Sequence, residues 1–302
     1  MILRAGSAEF FFTRNKIMDC ISFEDVSFSY PIVEGDLDEN GKQIIPQPVF
    51  DHFTGVIPAG FTSLIGPNGS GKSTFMMLAS GRLVPQSGKI NLFGQNITFL
   101  DEEKKNLLAS VIYQNMEFES DEKVSALLSF VYSHGALKGN AKSIRGKEKD
   151  LLSETIEVFE LSGVLNHGLA ELSKGEIQRV LLAFSMLYGS ASVFMDEPLF
   201  AMEPRQKISA LEYIRDFCAA TKTAVFISMH ELDLTRQFAE NVLLFYPNRD
   251  MDYGSPEEVL TNEALEKAYG VPAAMLKDKE TFTREQLIQT SEAILKIQNT
   301  CK

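Results

Sequence analysis

The sequence predicts an α/β fold, a mixed sheet covered by helices and carrying an inserted all-helical subdomain. Three observations predict it. Short apolar runs alternate along the chain with segments of helical periodicity. A glycine-rich turn, "GPNGSGKS", lies directly between one such run and one such helix. A charged stretch from about Met116 to Ser173 has helical patterning and no strand signal.

The first 17 residues, "MILRAGSAEFFFTRNKI", place Arg4, Arg14 and Lys16 around a short aromatic core. A signal peptide needs a longer apolar region. Residues 1–17 therefore read as a loose extension, and Met18 is an alternative start because strand-like "ISFEDVSFSY" follows at once. Strands are expected at Ile21–Phe28, Phe61–Ile65, Lys89–Phe93, Ser110–Tyr113, Ser192–Met195, Ala224–Ser228 and Val242–Tyr246. Helices are expected at Lys72–Gly81, Leu151–Glu160, Lys174–Tyr188, Arg205–Thr221 and Glu231–Phe238. The most apolar stretch, Val180 to Met195, is broken by Ser185, Gly189, Ser190 and Ser192. It falls short of the ~18 uninterrupted residues of a membrane span and reads as a helix, a glycine turn and a buried strand. A main domain over 18–274 with its helical subdomain at about 116–173 is followed by a tail, 275–302. There Leu287, Ile288, Ile294, Leu295 and Ile297 recur at helical spacing.

With 302 residues, 44% of them hydrophobic, the chain can bury a large core. A net charge of −12 argues against a nucleic-acid partner, which needs a basic face. The cysteines, Cys20, Cys218 and Cys301, are odd in number and far apart. They offer neither a disulfide framework nor metal spacing, which points to a reducing compartment.

The glycine-rich turn carries chemistry. Gly66, Pro67, Asn68, Gly69, Ser70, Gly71, Lys72, Ser73 and Thr74 fit a phosphate loop, in the strand-then-helix setting that such a loop requires. Its glycines let backbone N–H groups curl into an anion nest, and the helix N-terminus adds its dipole. Lys72 would reach the β- and γ-phosphates, and the Ser73 hydroxyl would bind Mg2+. In "ASVFMDEP", Asp196 emerges at the C-terminal end of an expected parallel strand, the edge where ligands collect. Asp196 would hold the metal's shell and Glu197 would polarise an attacking water. In "ELSKGEIQRV", Ser173 is a natural N-cap with Glu176 three residues on. Ser173 and the Gly175 N–H also form a second phosphate-binding helix end. One chain rarely needs two γ-phosphate sites, but two chains facing head to tail would use both.

Taken together these segments resemble the nucleotide-binding subunit of an ABC transporter, over roughly Ile21 to Val271. The family's parts stand in the family's order: the phosphate loop at Gly66–Thr74, the glutamine loop at Gln114 in "IYQN", the signature "LSKGE", Walker B at Val193–Asp196 followed by Glu197, and the switch histidine His230 in "FISMHELD". The resemblance implies a P-loop NTPase core of ABC type that binds ATP and Mg2+. Tyr30 would stack on adenine. Gln114 would join Ser73 and Asp196 at the metal, and would act with Glu197 and His230 in catalysis. It further implies a second ATP-binding subunit, an integral-membrane permease, and a place on the cytoplasmic face of the membrane.

Three departures stand out. Lys174 replaces the commoner glycine of the signature. In "FAMEP", Glu203 stands where the family often has an Asp that reaches across the dimer. The segment Pro31 to Pro48 is lengthened, and its Asp36, Asp38, Asn40 and Gly41 mimic the start of an EF-hand loop. Gln47 occupies the position of the bidentate Glu, and Pro31 and Pro46 oppose flanking helices, so a β-hairpin with an Asn-Gly turn is expected instead. "GSPEEVLTNEALEKAYGV" resembles the C-terminal part of subunits that energise uptake of iron chelates, haem or cobalamin. An exporter subunit and a soluble ABC ATPase are the alternatives.

Overall fold

The computed structural model describes residues 2–3, 19–35, 37, 39, 41–114, 116, 122–146, 149–272 and 275–276. The expected tail helix, Cys301, Met18 and the residues Asp36, Asp38 and Asn40 lie outside them.

The N-terminal third builds β1 (Ile2–Leu3), β2 (Asp19–Phe28), β3 (Phe50–Pro58), β4 (Phe61–Ile65), α1 (Lys72–Ala79), β5 (Ser87–Leu92) and β6 (Gln95–Asn96). Next come α2 (Glu102–Leu108), β7 (Ala109–Ile112), α3 (Val124–His134) and α4 (Leu151–Val158). The remainder is α5 (Lys174–Tyr188), β8 (Ser192–Asp196), α6 (Pro204–Thr221), β9 (Ala224–Ser228), α7 (Leu232–Phe238), β10 (Asn241–Phe245), β11 (Met251–Gly254), α8 (Pro256–Val259) and α9 (Asn262–Tyr269).

Two sheets result. The larger has the order β1-β11-β10-β4-β9-β8-β7, parallel from β10 to β7 and antiparallel at its β11 and β1 edge. The smaller, β3-β2-β5-β6, is antiparallel throughout. Strands β4, β8, β9 and β10 are buried on both faces for almost all their length, so β8, β9 and β10 read as near-continuous apolar runs. Along β8 the side chains still alternate: Val193 and Met195 join the core beneath α5 and α6, while Phe194 joins the core shared with β2, β3 and α1. On that second face Phe194 stacks on Phe226 of β9, ring centroids 4.9 Å apart. The sheet is thus a wall between two cores, and the loops at its C-terminal edge are held from both sides.

Helix ends follow local chemistry. Ser173 caps α5 through a capping box with Glu176. Pro204 opens α6, one residue earlier than expected, where a missing N–H costs nothing. Gly81 and Glu160 were expected inside helices but adopt φ of +71° and +52°, so α1 and α4 stop short of them. Phe93, at φ +49°, ends β5 one residue early. The stretch 116–173 holds α3 and α4 among its described residues, with two isolated antiparallel bridges, Lys123 to Gly168 and Lys142 to Asp150.

Other expectations needed correction. Ile2 and Leu3, placed in a loose extension, pair with Asp252 and Met251 of β11. The lengthened segment 31–48 is not among them: its described residues form one antiparallel bridge, Leu37 to Gln43, on either side of the expected Asn-Gly turn, whose Asn40 lies outside the described residues. Sequence reading also passed over β3, whose alternation is broken where His52 turns to φ +50°.

Candidate functional site

β4 runs without interruption into the loop Gly66–Thr74, and Lys72 opens α1. Gly66 has φ +149°, and a Cβ there would lie 2.6 Å from the Phe245 carbonyl oxygen, so only glycine lets the loop rest on β10. Gly71, at φ +108°, turns the chain into the helix. Lys72 Nζ donates to the carbonyls of Gly66 at 2.7 Å and Pro67 at 3.0 Å, folding the side chain back under the loop. The residue is buried, and that burial holds its pKa below the ordinary lysine value, against the pull of Asp196 and Glu197. An arriving anion would favour the charged ammonium. The site is therefore primed for negative charge.

Ser73 Oγ donates to Asp196 Oδ2 at 2.5 Å, and Ser228 Oγ donates to Asp196 Oδ1 at 2.8 Å. The hydroxyl of α1 and the carboxylate of β8 therefore converge on one point. Both are hard oxygen donors of the kind Mg2+ takes, and a cation here would complete its shell with phosphate oxygens and water. The donor set fits the ion. Gln114 Nε2 donates to Glu197 Oε2 at 2.6 Å, on the residue next to Asp196. His230 Nε2 lies 2.6 Å from the other oxygen, Glu197 Oε1. With the carboxylate ionised, that ring nitrogen must carry the proton. Glu197 itself sits at φ +49°, and its N–H donates to Ser228 Oγ at 3.2 Å.

The structure thus brings Lys72, Ser73, Gln114, Asp196, Glu197 and His230 to the C-terminal edge of the parallel strands. Tyr30 joins them from just beyond β2 of the smaller sheet, its hydroxyl 3.0 Å from Thr74 Oγ1 and the residue 43% exposed. Phe28 braces that ring edge-on at 5.2 Å. Ser173 and Gly175 do not join them. They line a separate groove with Arg179, Ala201, Glu203 and Gln206. Ser173 Oγ and its backbone N–H both donate to Glu176, at 2.7 and 2.8 Å. A Cβ on Gly175 would lie 2.6 Å from the Ala201 carbonyl, so glycine brings this helix end against the loop that follows β8.

Sequence reasoning missed Ser228. It ties Asp196 to Glu197, and it does so because β9 pairs with β8 in a register that sets Ser228 opposite Asp196. A serine at a strand end carries no signal of its own; only the pairing reveals it.

Comparison with known proteins agrees with this geometry. The sequence model described as "ABC transporter" matches residues 55–200. The hemin import ATP-binding protein HmuV of Rhizobium meliloti (strain 1021) is 31% identical over 221 residues, which span 70% of this chain and 82% of that protein. Among solved structures, an ATP-binding subunit of an ABC transporter superposes with a TM-score of 0.64 at 20% identity, over 87% of this chain and 99% of the other. A chain of a metal-chelate type ABC transporter in an inward-facing conformation has a TM-score of 0.60 at 19% identity, covering 84% and 90%.

Proposed function

The chain belongs to the ABC transporter family as an ATP-binding, ATP-hydrolysing subunit, and from that premise we propose that it is a Mg2+-dependent ATPase whose hydrolytic step turns on Glu197, working as one of two identical subunits beneath a membrane permease. One observation carries this reading. Gln114 and His230 converge on the two oxygens of Glu197, beside the paired Ser73 and Asp196.

The roles follow from placement. The phosphate chain of ATP rests on the N–H groups of Gly69 to Thr74 and on the N-terminus of α1. Lys72 Nζ exchanges a loop carbonyl for a phosphate oxygen. The half-exposed Tyr30 ring offers a face for adenine. Ser73 and Asp196 hold Mg2+, which when bound neutralises charge on the transferring phosphoryl group. Glu197 is the general base: a water that displaces Gln114 or His230 from one carboxylate oxygen gives its proton to that oxygen as its own oxygen bonds to the γ-phosphorus and the bond from that phosphorus to the bridging β,γ oxygen breaks, releasing ADP. Whichever of Gln114 and His230 keeps its bond orients the carboxylate.

The separate groove at Ser173 and Gly175 supports the two-chain reading, because a helix N-terminus ready for an anion stands apart from the phosphate loop of its own chain. A second copy facing head to tail brings it over the γ-phosphate. Among the described residues no helix is long and apolar enough to cross a membrane. The likeness to an import ATP-binding protein supports a separate permease as the path, with this chain on the cytoplasmic side of that membrane. The likeness to a hemin import protein also supports the cargo class expected from the sequence, an iron chelate, haem or cobalamin, carried inward.

Lys72→Ala tests the core of this reading. The variant loses the loop's cation, so ATP binding and hydrolysis should fall to background. ATPase activity near the parental rate would overturn the assignment.

A further inference from the structure

Arg249 lies 180 residues from the phosphate loop in sequence, yet its guanidinium donates through Nη1 to the carbonyl of Gly69 at the tip of that loop. The turn between β10 and β11 delivers it. Tyr246 N–H donates to Asp250 O at 3.0 Å, Arg249 N–H donates to Tyr246 O at 3.0 Å, and Asn248 Nδ2 donates to Asp250 Oδ2 at 2.7 Å. Arg249 itself has φ +72°, in the left-handed region that a residue with a side chain seldom occupies. Such a conformation persists where its surroundings hold it. The position of the turn is set by the sheet. β10 runs parallel to β4 with Leu244 opposite Ile65, so Phe245 abuts Gly66 and the turn beyond it stands beside the loop.

We propose that Arg249 is a positioning residue for the phosphate loop: it holds the Gly69 carbonyl turned outward, so that the loop presents N–H groups rather than a carbonyl to the bound phosphates. The proposal rests on the phosphate-loop reading above.

The physical reason is a peptide flip. The Gly69 carbonyl and the Ser70 N–H share one rigid plane and point in opposite directions. Gly69 has φ +75° and no side chain, so its backbone has the conformational freedom that such a flip requires. A flip would aim a carbonyl dipole at the anion. Ser70 N–H reaches Pro67 O only at 3.3 Å, a weak restraint. Lys72 holds the Gly66 and Pro67 carbonyls, but its ammonium is also the group that must turn to the phosphates. Arg249 approaches from outside the loop and can keep its bond while nucleotide is bound.

The test uses the purified full chain. ADP binding is measured by calorimetry, and inorganic pyrophosphate, which has no adenosine, is measured as a competitor. Arg249→Ala should weaken ADP roughly tenfold, the scale of one charge-assisted hydrogen bond, and should weaken pyrophosphate by the same factor. Arg249→Lys, which restores a cationic donor, should recover most of the loss. Tyr30→Ala, by contrast, should weaken ADP and spare pyrophosphate. The melting temperature without nucleotide reports whether Arg249→Ala folds. If it does not, Arg249→Gln replaces it: this keeps a neutral donor, so a loss smaller than tenfold but shared equally by both ligands is expected. Binding of both ligands within twofold of the parent would overturn the proposal, as would a loss confined to ADP. If Lys72→Ala leaves ADP binding unchanged, the phosphate-loop reading fails on its own account, whatever Arg249 does.

Discussion

His230 Nε2 lies 2.6 Å from Glu197 Oε1, although the two residues are 33 positions apart in sequence. Each stands just beyond the end of a parallel strand, β9 for the histidine and β8 for the glutamate. Those strands are neighbours, and their register sets Ser228 opposite Asp196. The pair is therefore a product of sheet geometry, and it puts a proton donor on the group proposed to take a proton from water.

Glu197→Gln separates binding from chemistry. Asp196 and Ser73 are untouched, so nucleotide binding should stay within a few-fold of the parent. Hydrolysis should fall by ~10²–10⁴, the usual contribution of a general base. The stalled chain should accumulate as an ATP-dependent dimer on size exclusion. A variant that turns over ATP at the parental rate would contradict the role given to Glu197.

Tyr30 makes a hydroxyl contact to Thr74 and offers a half-exposed ring. Tyr30→Ala should raise the KM for ATP, because losing one base–aromatic stack costs ~1–3 kcal/mol. Tyr30→Phe keeps the ring and should stay close to the parent. Steady-state kinetics on both variants decide between the two contacts: equal KM increases would assign the effect to the hydroxyl.

Ser173 can be tested in mixed dimers. A heterodimer of Lys72→Ala and Ser173→Arg chains has one composite site with both lesions and one with neither. Each homodimer carries a lesion at both sites and should trap no ATP. The verified heterodimer should trap about one ATP per dimer if Ser173 acts across the interface, an arrangement in which charge is buried that neither chain could bury alone. No trapping would leave Ser173 as the cap of its own helix, the role its bonds to Glu176 already fulfil.

Glu154 gives a pH-dependent stability test away from the nucleotide. It is 2% exposed and accepts hydrogen bonds from the Ser143 hydroxyl, the backbone N–H groups of Ile144 and Arg145, and the Tyr213 hydroxyl, which joins the loop before α4 to α6. Burial alone would raise its pKa, but the donors outweigh burial and hold it below the ordinary carboxylate value. A lowered native pKa means that this stabilisation is fully present above the unfolded-chain value and is lost as pH falls through the native one. Glu154→Gln should cost about 1–3 kcal/mol at neutral pH, since an amide mismatches these donors. The gap in melting temperature between parent and variant should narrow as pH falls to the acid side of the ordinary carboxylate value. A gap that stays constant across that range would exclude the ionised carboxylate as its source.

Elements whose signals are local were legible in the order of residues. Glycine spacing around Lys72 marked the phosphate loop, because positive φ at Gly69 and Gly71 needs residues without a side chain. Near-continuous apolar runs marked the parallel strands β8, β9 and β10, because burial on both faces leaves no polar alternation. The Ser173 and Glu176 pair marked the start of α5, because a capping box is closed within four residues. What lacked a local signal was passed over: β3 is bent at His52, and β11 is only four residues long. Tertiary structure alone decided which of the marked residues meet. Strand order and register put Ser228 between Asp196 and Glu197, set Gln114 against Glu197, and carried Arg249 to the phosphate loop. These contacts span tens to hundreds of residues in the chain. They exist only once neighbouring strands have been aligned by hydrogen bonds at a fixed spacing, which no local pattern of residue types can specify.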